Sequence, residues 1–161
     1  MTETTLEQQV ERLTSIEAIK DLKARYCAFC DDGYDADGIC SVFVPDGVFD
    51  GGEEFGVHQG HAAIHTFFSG ASSQITFAAH LVLNPVISVD GDRANAKWWL
   101  LMPCTLRDEG GRSEGRWLVS QYNDDMVRRD GVWRFQAVRA VVRLFVPHLE
   151  DWAGRTIARD G

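Results

Sequence analysis

Nothing in the 161 residues approaches the run of about 20 apolar positions that a membrane-spanning helix requires. The first residues, Met1 to Glu7, are polar and acidic where an export signal would be basic and then apolar. Basic charge is scarce as well. Sixteen Lys and Arg face 24 Asp and Glu, a net charge of −8, and residues 1–75 hold 4 basic against 13 acidic side chains. A nucleic-acid surface requires the opposite balance. P-loop, Gly-x-Gly-x-x-Gly, Gly-x-Ser-x-Gly and His-Glu-x-x-His patterns do not occur, which removes the usual nucleotide-loop, hydrolase-elbow and zincin chemistries. There are only four cysteines, Cys27, Cys30, Cys40 and Cys104. No second Cys-x-x-Cys or His pair completes a zinc set, so they read as buried, reduced thiols. The expectation is an unexported, cytoplasmic protein that binds neither nucleic acid nor membrane.

What the chain does hold is the make-up of a folded protein, with 45% hydrophobic and 11% aromatic residues. Its length suits one domain, residues 1–161, with one core and room for one small-molecule cavity. Thr14-x-x-Glu17 reads as a capping box opening an amphipathic helix from about Ser15 to Cys30, after a short helix over Leu6–Leu13. Asp31-Asp32-Gly33 ends it, because glycine supplies a positive φ without strain. A second helix is expected over Ala36–Val44, closed by Pro45-Asp46-Gly47, then a short strand from Val48 that pairs with Phe55–Gln59, and a third helix over His61–Ser69. From Ile75 the pattern becomes that of four long strands, Thr76–Val89, Ala94–Leu106, Arg112–Arg128 and Val132–Val146. Asp90-Gly91-Asp92, Glu109-Gly110-Gly111 and Asp130-Gly131 punctuate them as hairpin turns. Helices followed by an antiparallel meander define an α+β architecture in which the sheet curls around the early helices.

Several side chains could carry chemistry. His80 lies in a strand pattern on the face shared by Ala78, Val82 and Asn84. Asp31 sits at the C-terminal end of the long helix, where the helix dipole disfavours a carboxylate unless a cation or donor faces it. A facing imidazole would satisfy that requirement, and the carboxylate would fix its tautomer and raise its basicity. Tyr26, five residues earlier and about 140° around the helix, can border the same cavity. On the last strand Arg139 and Arg143 alternate among apolar neighbours, and either could bind a carboxylate or an enolate-like oxyanion. Trp98 and Trp99 are adjacent and must face opposite ways, so one can wall a pocket, and Phe29 and Phe49 offer further aromatic lining. His61 and His65 have the i, i+4 spacing of a metal pair but no third ligand, so no metal site is expected.

The run Glu17 to Tyr26 leading to Asp31, the segment Phe43-Val-Pro-Asp-Gly-Val-Phe49, the stretch from His80 through Asn84 to Ala94, and Tyr122 through Trp133-Arg-Phe135 together resemble one family. It is the SnoaL-like branch of the nuclear-transport-factor-2-like superfamily, the group of scytalone dehydratase, bile-acid 7α-dehydratase and hexachlorocyclohexane dehydrochlorinase. The resemblance implies a cone-shaped α+β barrel, a strongly curved mixed sheet wrapped around N-terminal helices. It implies His80 and Asp31 as a catalytic dyad, Tyr26 as an assisting group, and an arginine of the last strand in the pocket. It also implies no cofactor, a homotrimer or homodimer with the trimer favoured, and elimination or isomerisation next to the carbonyl of a small, mostly apolar cyclic or polycyclic substrate. Since the same fold also serves as a ligand-binding domain or as the small subunit of a ring-hydroxylating oxygenase, a non-catalytic role stands as the alternative.

Overall fold

The computed structural model describes residues 5–149. Helix α1 runs without interruption over Leu6–Asp31, so the two expected helices are one. Its N-cap is Thr5, whose side chain accepts from the Gln8 N–H while the Gln8 side chain reaches back to the cap. This capping box already satisfies the helix start, so the second one, at Thr14, has no free end to cap. Ser15 is buried on the inner face with Ile19, Leu22, Tyr26, Cys27 and Cys30, whereas Leu6, Val10 and Leu13 are exposed. The outer half of the helix is tied to the sheet by Arg128, which pairs with Glu11 and, at 2.8 Å, with Asp92.

Helix α2 covers Ala36–Ser41, ending three residues earlier than expected. Strand β1, Phe43–Asp50, claims the remainder because Phe43 pairs with Phe135 and the Phe135 N–H donates to the Val42 carbonyl at 2.9 Å. Pro45-Asp46-Gly47 therefore forms an irregularity inside β1 instead of closing a helix. After the one-turn helix α3 (Gly52–Phe55), strand β2 (Val57–Gln59) returns antiparallel to β1, and α4 extends over Gly60–Gln74, five residues beyond its expected end.

The remaining strands are β3 (Ile75–Ala78), β4 (Leu81–Asp90), β5 (Arg93–Arg107), β6 (Ser113–Arg129) and β7 (Val132–Pro147). The sheet order is β2-β1-β7-β6-β5-β3 with β4 also on β5, and β1 beside β7 is the one parallel pairing among the described strands. Bulges near Ser120 and Met126 bend the β6–β7 ladder, and the mixed sheet curls into a half-barrel around α1. The single strand expected over Thr76–Val89 is broken at Ala79-His80 although β3 and β4 keep one register on β5, Ala78 opposite Cys104 and Leu81 opposite Leu101. The break has a cause: the His80 N–H donates to the Asp31 carboxylate instead of the ladder, and Pro103 on the facing strand has no N–H to give.

All four cysteines are buried and unpaired. Burial pushes the Cys27 and Cys104 thiols up to about 11, which keeps them protonated. Under α1 lies a polar feature the sequence did not reveal. Lys23 Nζ stands 2.9 Å from Asp124 Oδ2, the two side chains being 2% and 0% exposed, and 3.3 Å above the Tyr122 ring.

Candidate active site

The concave side of the sheet and the inner faces of α1 and α4 line a cavity that opens to solvent. Its wall is aromatic and aliphatic: Phe49, Phe55, Phe67 and Phe68 on one side, Leu100, Met102, Leu118, Ala140 and Val142 from the sheet. Polar groups enter at His80, Ser120, Tyr26, Tyr34 and Tyr122. Those are all three tyrosines of the chain.

His80 and Asp31 meet at this wall. The His80 Nδ1–H donates to Asp31 Oδ1 at 2.6 Å, and the His80 backbone N–H donates to both carboxylate oxygens at 3.0 and 3.1 Å. An ionised carboxylate only accepts, so Nδ1 carries the proton and Nε2 keeps a free lone pair. The imidazole is 5% exposed and the carboxylate 35%, which leaves the base shielded while its partner stays partly hydrated. Asp31 thus sits at the negative end of α1 facing two N–H donors, the arrangement that makes a carboxylate tolerable there.

Tyr26 lines the cavity from α1, packed edge-on against Phe43, Phe68, Tyr122 and Phe135. Burial pushes the phenols of Tyr26, Tyr34 and Tyr122 above their ordinary range, so each remains an O–H donor. Tyr34, Tyr122 and Ser120 were not singled out as site residues from the sequence. Tyr34 follows two acidic residues and a glycine, the pattern of a solvated turn, while Ser120 and Tyr122 are detectable only through the inward alternation of β6.

Phe49 is in the wall; the other expected binding residues are not. Arg139 and Arg143 lie on the outer face of β7, Arg139 on Asp125 at 2.6 Å and Arg143 on Gln121 at 2.8 Å. The side chains inward of them are Ala140 and Val142, and the bulge opposite Ser120 turns Phe145 toward the core where strict alternation placed it with the arginines. No Lys or Arg is among the described residues that line the cavity. Phe29 packs against Gly38 of α2 instead of the cavity. Asn84 is exposed at a positive φ of 51°, at the irregularity between Leu83 and Val86. Trp98 and Trp99 do face opposite ways, but Trp98 is sealed in the core with its indole N–H toward Asp124, short of an ideal hydrogen bond, and Trp99 is 39% exposed on the outer face. His61 and His65 are engaged separately, His61 with the Phe43 carbonyl and His65 with Asp37.

A family model for the SnoaL-like domain matches residues 11–139, most of the chain. The chain belongs to the SnoaL-like family. Solved structures agree on the fold. Hexachlorocyclohexane dehydrochlorinase type 2 is similar over 95% of this chain and 99% of its own, with a TM-score of 0.78 and 23% identity. A candidate scytalone dehydratase from Novosphingobium aromaticivorans covers 93% and 97%, with a TM-score of 0.75 and 22% identity. A protein of unknown function from Mycobacterium tuberculosis reaches 26% identity over 83% of this chain and 75% of its own, with a TM-score of 0.68. None of the curated proteins matches in sequence. The SnoaL-like assignment explains the curled mixed sheet and the helices against it, and no helix among the described residues is long and apolar enough to cross a membrane.

Proposed function

We propose that this SnoaL-like protein is a lyase of the dehydratase or dehydrohalogenase type, or an isomerase, that removes the proton α to the carbonyl of a small, mostly apolar cyclic compound. One observation carries the reading: a cavity-wall histidine whose Nδ1 is held at 2.6 Å by a carboxylate, leaving Nε2 as a base. His80 takes the α-proton, and Asp31 holds the ring and stabilises the imidazolium. In an elimination the α–β double bond forms as the β-substituent leaves, and the imidazolium returns its proton to a departing hydroxide as water. Tyr26 assists the leaving group from the cavity floor. General-base catalysis contributes about 10²–10⁴-fold and oxyanion donors about 10²–10³-fold, enough for an acidic C–H with side chains alone. The aromatic walls suit a ring, and the absence of Lys and Arg among the described lining residues disfavours a substrate carboxylate.

An open cavity with the base in its wall favours catalysis over a scaffold or plain binding role. The outer face supports self-association. Leu83 lies opposite Trp99 and Leu81 opposite Leu101 across β4 and β5, and Leu81, Leu83 and Trp99 are all exposed apolar side chains. A second copy covering this face, in a trimer, accounts for that exposure.

The test is proton exchange. Cyclic ketones and β-hydroxy cyclic ketones are incubated with the protein in D₂O, and deuterium at the α-carbon and enone absorbance are followed. The reading requires exchange that depends on His80; exchange undiminished in His80→Ala overturns it.

A further inference from the structure

We propose that Tyr34 is a further catalytic residue, its phenol O–H donating to the substrate's carbonyl oxygen and bearing the charge that arrives there when His80 removes the α-proton. The inference rests on the proton-abstraction reading and adds the oxyanion partner that the outward-facing arginines leave without a candidate.

The first observation is backbone conformation. Tyr34 has a φ of 59°, directly after Gly33 at 65°. Glycine enters this left-handed region freely, whereas a bulky side chain there is an outlier that persists only when the surroundings over-determine it. The Tyr34 N–H donates to the Cys30 carbonyl at 3.1 Å and the Asp35 N–H to the Phe29 carbonyl at 2.9 Å, which folds the chain back over the end of α1. A tyrosine that would otherwise point into solvent is thereby turned inward and is 7% exposed.

The second observation is placement. The Tyr34 ring stacks on Phe68 at 6.0 Å and 17° and meets the His80 imidazole edge-on at 6.2 Å and 79°. It lines the same cavity as His80. The other donors in the wall have work of their own: the Ser120 hydroxyl donates to the Val141 carbonyl at 2.9 Å, the Tyr122 ring lies under Lys23 Nζ at 3.3 Å, and Tyr26 serves the leaving group. Among the described residues no side chain accepts from the Tyr34 hydroxyl, so its proton is available to a ligand. A base and a neutral phenol in the wall of one cavity supply the two groups that enolate formation requires, one to take the proton and one to face the oxygen.

The test uses 4-nitrophenolate, whose aryl oxide mimics the enolate, and nitrobenzene, which has the ring without the oxide. Binding is measured at mildly alkaline pH for the wild type, Tyr34→Phe and Tyr34→Asn; asparagine tolerates the left-handed backbone and removes the phenol. Tyr34→Phe keeps the stack on Phe68 and loses only the hydroxyl, so it should weaken 4-nitrophenolate about 10- to 100-fold, as expected for a hydrogen bond to a charged group, and leave nitrobenzene unchanged. Tyr34→Asn should lose the preference for the oxide as well. Equal affinity of wild type and both variants for the oxide, equal loss of both probes in Tyr34→Phe, or failure of the wild type to bind either ring overturns the assignment. His80→Ala separates the two readings: it should cut α-proton exchange about 10²–10⁴-fold yet keep the preference for the oxide, so undiminished exchange sinks the base alone.

Discussion

Removing Lys23 alone should destabilise the protein more than removing Lys23 and Asp124 together. At 2.9 Å and an effective dielectric constant of about 20, the attraction is about 6 kcal/mol. Desolvation of two fully buried ions costs several kcal/mol each, so the pair contributes little net stability. A single truncation is different, because the surviving charge stays in the core without a partner, at about 3–5 kcal/mol. That is a large share of a typical total of about 5–15 kcal/mol. Lys23→Met and Asp124→Leu should each lower the unfolding free energy by about 3–5 kcal/mol, and the double variant should return to within about 1 kcal/mol of the wild type or exceed it. The assay is urea unfolding of the four proteins, read at constant m.

The same pair has a pH signature. Burial, the dominant effect, raises the Asp124 carboxyl, while Lys23 pulls it back down. A folded pKa above the unfolded one means that the native state binds more protons, so this group's contribution is intact below the ordinary carboxylate range and is lost as pH rises through the raised value. Removing Lys23 raises the carboxyl further, and the deficit of Lys23→Met should shrink on acidification because Asp124 then takes up a proton. A double variant as unstable as the single ones, or a deficit that grows as pH falls, would refute the reasoning.

His80→Ala should reduce α-proton exchange about 10²–10⁴-fold, measured by NMR in D₂O, and Tyr26→Phe should reduce turnover less because water partly replaces a hydroxyl donor; survival of full activity in His80→Ala contradicts the dyad. Treatment with a chelator should leave exchange unchanged, and loss that a divalent metal restores would count against a side-chain base. With their thiols raised to about 11, Cys27 and Cys104 should resist alkylation at neutral pH until the protein unfolds, and rapid native labelling would show that the core is open. Sedimentation at micromolar concentration should give an oligomer that Trp99→Lys dissociates; a monomeric wild-type mass removes the proposed interface.

Local signals in the sequence decided the α+β class, the turns at Gly91, Gly110-Gly111 and Gly131, and the end of α1 at Asp31, because turn chemistry and apolar periodicity act within a few residues. They also marked the positions of Asp31 and His80, a carboxylate at the wrong end of a helix dipole and a histidine inside an apolar strand. What lay beyond reach was everything settled by residues far apart in the chain. The Asp31 carboxylate takes the His80 N–H across 49 positions and breaks a strand that its own pattern describes as continuous. Bulges in the β6–β7 ladder decide which side chains of β7 face inward, so Ala140 and Val142 reach the cavity and Arg139 and Arg143 do not. Tyr34 is turned inward by hydrogen bonds closing the helix end and by the Phe68 ring of another helix. Side-chain direction at a bulge or a helix terminus depends on the partner that satisfies the backbone, and that partner exists only once the sheet has curled around α1.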